Sequence, residues 1–149
     1  MLFRSKDIVL LESGVAQQKN ISIRFIENKN SISIKADGYL LKQALVNVIK
    51  NAIEATPVNG EIIISVSQNN KQTDFIVEDN GAGMTEDELE KAFDLYFSTK
   101  DHGTGLGLAI TRRIIDQHEG GIIIRSHVTK GTIVTIRIPN RRKNESLGN

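Results

Sequence analysis

Two asparagine side chains lie on one stripe of a helix predicted in the first half of the sequence. Asn47, Asn51 and Glu54 stand at helical spacing with Lys50 beside them, opposite the apolar face of the same helix. A solvated helix surface is the more common explanation of this spacing taken alone. However, two asparagines inside a helix cost about 0.5 kcal/mol each relative to alanine, which favours a ligand for their amides. The amide oxygen suits Mg2+, which prefers oxygen ligands and shares its shell with phosphates and water.

A single acidic residue ends a predicted strand and opens a glycine-containing turn. Asp79 begins the run Asp-Asn-Gly-Ala-Gly-Met, in which Gly81 and Gly83 allow backbone conformations and close approaches that a side chain would prevent. A carboxylate at this point can accept a hydrogen bond from an exocyclic amine. An ordinary β-turn accounts for the run equally well.

A second glycine-rich run leads directly into a helix. Residues 103–108, Gly-Thr-Gly-Leu-Gly-Leu, present free N–H groups and the positive end of a helix to an anion such as a polyphosphate. Their spacing matches neither the P-loop nor the dinucleotide-binding signature. Lys100, three residues upstream, can reach a terminal phosphate as a point charge, although a solvated loop lysine is as good an explanation.

The elements that would position these residues follow from apolar periodicity. Helices are predicted at residues 8–18, 39–55, 85–92 and 106–118. Strands are predicted to pair as hairpins within residues 20–36, 61–78 and 122–138. Asp37 should cap the first long helix, and the second should end near Gly120 and Gly121, in a left-handed position that suits glycine. This arrangement predicts an α+β fold, a two-layer sandwich in which helices cover one face of a mixed sheet.

Composition narrows the possible classes of protein. The 149 residues suit one domain at residues 1–140, with a polar tail at 141–149 that we expect to be disordered. A net charge of +1 gives no bulk attraction to nucleic acid or to a membrane surface. The count of cysteines is 0, which excludes disulfides and thiolate metal sites. No apolar stretch approaches the roughly 20 residues of a membrane helix, so we expect a cytoplasmic chain and leave open a membrane anchor in a parent protein.

In this order the motifs resemble the catalytic ATP-binding domain of sensor histidine kinases, in the wider family of gyrase, the Hsp90 chaperone and the MutL repair protein. The asparagine box, first glycine box, phenylalanine box and second glycine box correspond to residues 47–55, 79–84, 93–100 and 103–108. The resemblance implies the Bergerat-type ATP-binding fold. Leu95 stands where a proline is frequent, and Glu119 and Thr129 stand where glycines are frequent.

The resemblance also implies a role for each motif. Asn51 would bind Mg2+, Asp79 would bind the adenine amino group, and Asn47 and Lys100 would act at the reacting phosphate. The other residues implied in nucleotide binding are Gly81, Gly83, Met84, Thr104, Gly105, Leu106, Gly107 and Leu108. Residues 85–102 would form a lid over ATP. Within this lid, Phe93 is better explained by packing than by nucleotide contact.

The implied reaction is transfer of the γ-phosphoryl group of Mg-ATP to a histidine. Hydrolytic relatives carry glutamate at the position of Asn47, and an amide cannot accept a proton from water at neutral pH. His102, His118 and His127 lack the sequence surroundings of the family's acceptor. We therefore expect the acceptor on a dimerisation domain outside these residues, a response regulator downstream, and no autophosphorylation by this fragment alone.

The sequence is also compatible with other functions. A serine kinase of the anti-sigma type shares the asparagine and glycine boxes and differs in its acceptor. A non-enzymatic module could use nucleotide binding to form a surface for a partner. A hydrolase is a further alternative, which rapid phosphate release by the chain would favour.

Overall fold

A mixed five-stranded β-sheet organises the molecule. The computed structural model describes residues 2–3, 14, 16–27, 32–94 and 107–140. The strands of the main sheet are β2 (Ser22–Glu27), β4 (Glu61–Gln68), β5 (Gln72–Asp79), β6 (Gly121–His127) and β7 (Gly131–Pro139). Their spatial order is β2-β4-β5-β7-β6, with β2 parallel to β4 and the remaining neighbours antiparallel. Two short strands, β1 (Leu2–Phe3) and β3 (Ile32–Ser33), pair with each other in a separate sheet.

Helices cover one face of the main sheet. They are α1 (Gly38–Ala55), α2 (Glu86–Glu90) and α3 (Gly107–Gln117), and residues 14 and 16–18 are also helical. The two longer helices, α1 and α3, pack against each other and against the sheet. Alternate residues of β4 and β5 are buried beneath them, as expected for strands with one covered face. The predicted α+β class and two-layer arrangement are confirmed.

Helix α1 begins and buries its face as its sequence indicates. The Asp37 carboxylate accepts a hydrogen bond of 3.0 Å from the N–H of Leu40, so an N-terminal donor that has no partner within the helix is satisfied. The buried residues of the helix are Leu41, Ala44, Leu45, Val48, Ile49, Ala52 and Ile53. This stripe fixes the helix on the sheet and turns the asparagine-bearing side away from the core.

The end of α1 is held by a lysine from an earlier part of the chain. The Lys19 ammonium donates to the carbonyl oxygens of Ile53, Glu54 and Thr56 at 3.0, 3.2 and 3.0 Å. Carbonyls at a helix end lack partners within the helix, and a cation there also interacts favourably with the helix dipole. No glycine is therefore needed to end this helix.

A histidine joins the end of α3 to the start of α1. The N–H of Asp37 donates to Nε2 of His118 at 3.0 Å, so the proton of the neutral ring lies on Nδ1. That proton is donated to the carbonyl of Ile114, 2.7 Å away. Both ring nitrogens are engaged in hydrogen bonds. The ring connects the end of α3 to the start of α1, the helix that carries the asparagine stripe.

The hairpin predicted over residues 20–36 is wrong. Strand β2 pairs in parallel with β4, from Ser22 opposite Glu61 to Glu27 opposite Val66, whereas β3 pairs with β1. Apolar alternation identifies a strand and its buried face but does not specify its partner. Ile23 pairs beside β4 and packs against the core, which a lone two-stranded ribbon could not provide.

The predicted glycine in a left-handed position after α3 is also wrong. The left-handed residue is Glu119, with φ of 58°, and Thr129 adopts φ of 67° in the turn between β6 and β7. These are the two positions at which the sequence departs from a frequent glycine. At Glu119 the chain turns so that Gly120 can lie against the carbonyl of Arg137, where a Cβ would overlap that oxygen.

The remaining predicted helices and hairpins are confirmed within two residues at their ends wherever the structure describes them. The helix predicted over residues 8–18 lies partly outside the described residues, and the tail at 141–149 lies wholly outside them. Among the described helices, none combines the length and apolar character needed to cross a membrane.

Candidate functional site

A buried carboxylate forms the centre of the candidate site. Asp79 is the last residue of β5, and its side chain lies on the helix-covered face with 7% of the residue exposed. Its Oδ1 accepts a hydrogen bond of 2.9 Å from the N–H of Gly81, and Thr132 of β7 lies directly opposite in the strand register. Such a group is an acceptor held in a fixed orientation beside the core.

Burial raises the pKa of Asp79 above its ordinary value of 3.8. Hydrogen bonds from the N–H groups of Gly81 and Thr132 favour the charged form and offset part of this rise, while the charge of Glu78 adds to it. A buried carboxylate of this kind gains most from a ligand that brings a further N–H donor.

The glycines after Asp79 are required by the backbone that surrounds them. A Cβ on Gly81 would overlap the carbonyl oxygen of Ala55 at the end of α1. Gly83 has φ of 70°, and a Cβ there would overlap the carbonyl oxygen of His127. The run thus fits tightly between the end of α1 and the turn after β6. This packing is a reason for the glycines that the sequence did not indicate, while their contact with a purine stays a prediction.

Hydrogen bonds fasten the same run to its two neighbours. The N–H of Ala82 donates to the carbonyl of Ala55 at 3.3 Å, and the N–H of Thr129 donates to the carbonyl of Ala82 at 2.8 Å. The N–H of Met84 donates to the Ser126 hydroxyl at 2.8 Å. Residues 81–84 therefore have a defined position before any ligand binds.

The asparagine stripe of α1 lies between this run and the start of α3. Asn47 and Asn51 are half-buried, and Glu54 is exposed. Nδ2 of Asn51 lies 4.0 Å from the position that a Cβ on Gly107 would occupy. Ala55, one turn after Asn51, packs against the first glycine run. One side of α1 consequently connects the Asp79 region to the first turn of α3.

The second glycine run is described only at its end. Gly107 and Leu108 form the first turn of α3 and are half-buried. The other predicted phosphate-binding residues, Lys100, Thr104, Gly105 and Leu106, lie outside the described residues, so their roles stay predictions.

The beginning of the predicted lid has a defined structure. Thr85 and Glu88 form a reciprocal capping box at the start of α2, with donor–acceptor distances of 3.4 and 3.2 Å. The Arg112 guanidinium of α3 lies 4.8 Å from the centre of the Phe93 ring. Phe93 thus packs under a cation, in keeping with the predicted packing role.

Several residues that shape the site carried no signal in the sequence. Ser126 and Thr132 occupy ordinary strand positions, and Lys19 precedes the site by a long stretch of chain. Neither hydropathy nor spacing distinguishes a hydroxyl that bonds to neighbouring strands beside the site from one that faces water. Only the cross-strand register, which pairs Asp79 with Thr132 and Thr132 with Ser126, brings them together.

Comparisons with known proteins agree with this geometry. Residues 36–142 match the family described as histidine kinase-, DNA gyrase B-, and HSP90-like ATPase. Sporulation kinase B of Bacillus subtilis is 39% identical over 135 residues, which cover 90% of this chain and 31% of that protein. The chain thus spans less than a third of that relative.

Solved structures give the same result. The catalytic domain of histidine kinase ThkA is similar with a TM-score of 0.83 and 32% identity, covering 94% of this chain and 97% of that one. ThkA in complex with the response regulator TrrA is similar with a TM-score of 0.80 and 29% identity, covering 95% of this chain and 42% of that one. The chain belongs to the histidine kinase-, DNA gyrase B- and HSP90-like ATPase family, and its similarity to a histidine kinase catalytic domain extends over nearly its whole length.

Proposed function

We propose that this chain is the ATP-binding catalytic domain of a sensor histidine kinase. It binds Mg-ATP and transfers the γ-phosphoryl group to a histidine on a separate dimerisation and acceptor domain. The observation that carries the proposal is the buried Asp79 carboxylate, held by the backbone N–H of Gly81 beside the helix that bears Asn47 and Asn51. Family membership supports the amino group of adenine as the ligand of this acceptor.

The residues divide into a base-binding group and a phosphate-binding group. Asp79 accepts from the adenine amino group, and the neighbouring backbone approaches the base at Gly81, Gly83 and Met84. The phosphates lie at the start of α3, bound by Lys100, Thr104, Gly105, Leu106, Gly107 and Leu108. The positive end of α3 favours this charge.

The amide of Asn51 is the residue proposed to hold Mg2+. The half-buried amide group of Asn51 lies next to the start of α3, and it offers an oxygen of the kind that this ion prefers and shares with phosphates. When bound, Mg2+ neutralises charge that develops on the phosphates. This chain then orients the nucleotide, and Asn47 lies one turn before Asn51 on the same side of α1.

The amide at Asn47 favours transfer to a histidine over transfer to water. An attacking water must lose a proton, and an amide cannot accept it at neutral pH. A neutral imidazole has a lone pair and needs no such base. Slow hydrolysis by the chain alone follows from this difference.

The acceptor histidine is proposed to lie on another domain or chain. Both ring nitrogens of His118 are engaged in hydrogen bonds that join α1 to α3, which removes it as an acceptor. His127 is the last residue of β6, and its carbonyl lies against Gly83. The TrrA complex of ThkA supports a response regulator as the downstream partner, and the parent protein would present this domain to the cytoplasm.

Radiolabelled ATP tests the proposal. The chain alone should remain unlabelled with γ-labelled ATP and Mg2+, and an added acceptor domain from its parent protein should gain label. The label should be lost in acid, as expected for phosphohistidine, whereas acid-stable label would identify a serine kinase. Asp79→Asn should abolish the labelling, and Asp74→Asn on the outer face of the same strand should retain it. Stable label on this chain alone would contradict the proposed acceptor.

A further inference from the structure

One hydroxyl connects the two sides of the Asp79 site. Ser126 Oγ accepts the N–H of Met84 at 2.8 Å, on the glycine-containing side. The same oxygen lies 2.7 Å from Oγ1 of Thr132 and 3.2 Å from the carbonyl of Gly131, at the start of β7. Met84 and Thr132 are distant in sequence, and this side chain forms a hydrogen bond to each of them.

The hydrogen-bonding capacity of Ser126 is largely used by these contacts. A serine hydroxyl has one proton and two lone pairs. One lone pair accepts from Met84, and the proton goes either to the Gly131 carbonyl or to the Thr132 hydroxyl. In the first case the Thr132 hydroxyl can donate to Ser126. A side chain without a hydroxyl would leave the Met84 N–H without this acceptor and release the start of β7 from it.

Thr132 links Ser126 to the Asp79 carboxylate. Asp79, Thr132 and Ser126 stand opposite one another on β5, β7 and β6, on the helix-covered face. Thr132 is the residue directly opposite Asp79 in this register, and its N–H is among the groups that favour the charged form of the carboxylate. Gly131, with φ of 107°, packs so tightly on the Asp79 carbonyl that a Cβ would overlap it. The orientation of the carboxylate therefore depends on the position of residues 131–132, which the bonds of Ser126 help to fix in addition to the pairing of β7.

We propose that Ser126 is the positioning residue for adenine recognition: it holds Met84 on one side and Thr132 on the other, and so orients the Asp79 carboxylate toward the amino group of the base. This inference rests on the proposed function, because it assumes that Asp79 accepts from adenine. Ser126 itself need not touch the nucleotide. Its effect is on the choice of base and leaves phosphate binding unchanged.

Base discrimination separates this role from a general contribution to folding. Inosine triphosphate carries a carbonyl where ATP carries the amino group, so it lacks the exocyclic donor that is proposed to bond to Asp79. Calorimetry should show that Ser126→Ala weakens ATP binding about fivefold, as expected for loss of one hydrogen bond, and changes inosine triphosphate binding by less than about twofold. Ser126→Thr, which keeps the hydroxyl, should preserve the preference for ATP. Ser65→Ala, on the outer face of β4, is the matched control and should change neither affinity.

The outcomes are distinct. A reduced preference for ATP in Ser126→Ala, restored in Ser126→Thr, supports the proposal. Equal weakening of both nucleotides, or an unchanged preference, overturns it and leaves the proposed function intact. Absence of ATP binding by the unmodified folded chain overturns the proposed function itself. Should Ser126→Ala fail to fold, Ser126→Cys keeps the shape with a weaker hydrogen-bonding group and should show a smaller loss of preference in the same direction.

Discussion

The two ends of the candidate nucleotide site are built differently. At the proposed base end, Asp79 is buried, its carboxylate accepts from the N–H of Gly81, and residues 81–84 pack against two neighbouring segments. At the phosphate end, Asn47 and Asn51 are half-buried on one side of α1, and Gly107 has room for a side chain. The base end is fixed by backbone packing, and the phosphate end is a polar surface beside a helix start.

This difference fits the separate tasks that we propose for the two ends. A preformed acceptor loses little conformational freedom on binding and can therefore select a base. Phosphates carry charge that backbone N–H groups, a cation and a metal ion can share over a wider area. Substitutions at the base end should disturb the fold and the choice of base, whereas substitutions at the phosphate end should disturb affinity alone.

The largest effect is expected from glycine substitutions at the two ends. Gly83→Ala places a Cβ against the His127 carbonyl in a left-handed conformation and should lower the free energy of unfolding by about 3 kcal/mol. Gly107→Ala, where the nearest atom would be 4.0 Å away, should cost no stability and could add up to about 1 kcal/mol in a helix. Urea unfolding of both variants measures this contrast, and equal losses would show that the two ends are not built differently.

Asp79→Asn should weaken ATP binding roughly 10- to 100-fold, because a charge-assisted hydrogen bond is worth about 1.5–3 kcal/mol. The amide of the new asparagine would also place an N–H donor against the backbone N–H of Gly81, and two donors cannot form a hydrogen bond. Calorimetry measures the loss. Asp74→Asn removes a carboxylate from the same strand that pairs with Arg137 at 2.9 Å, and it should bind ATP normally. Similar losses in both variants would mean that Asp79 has no special part in binding.

Thr129→Gly should raise the free energy of unfolding by about 1 kcal/mol, because a β-branched residue is strained in a left-handed conformation. The turn supports the base end through the bond from Thr129 N–H to the Ala82 carbonyl, which glycine retains. Asn59 also has φ of 67°, and asparagine tolerates it, so Asn59→Gly should change stability much less. Denaturant unfolding distinguishes the two; a larger gain at Asn59 would contradict the argument from strain.

A pH series tests the base end in the folded protein. The pKa of Asp79 is raised above 3.8 on folding, so the folded state binds more protons between the two values. Stability relative to Asp79→Asn should consequently be highest below pH 3.8 and decline as the pH rises through the raised pKa. ATP affinity should increase over the same range as the carboxylate becomes charged. Relative stability that rises with pH would indicate a lowered pKa and contradict the role of burial.

Part of the fold and of the candidate site can be predicted from the sequence. Apolar periodicity places α1, α3 and the β4–β5 hairpin, and the position of Asp79 at the end of a strand identifies it as a candidate acceptor. The partner of β2 does not follow, because alternation defines a face and leaves the neighbouring strand undefined.

Contacts between distant parts of the sequence could not be predicted either. The need for glycine at position 83 comes from the His127 carbonyl, and the role of Ser126 comes from its register opposite Thr132. The three bonds from Lys19 to the end of α1 likewise join segments that no local pattern relates. Such contacts depend on the assembled sheet and helices, and only the folded chain reveals them.

Calorimetry of the folded chain with ATP and Mg2+ tests the central claim most directly. We expect saturable binding that weakens when Mg2+ is omitted and is largely lost in Asp79→Asn. If a well-folded chain gave no heat of ATP binding under these conditions, that result would contradict the assignment of this site to the nucleotide.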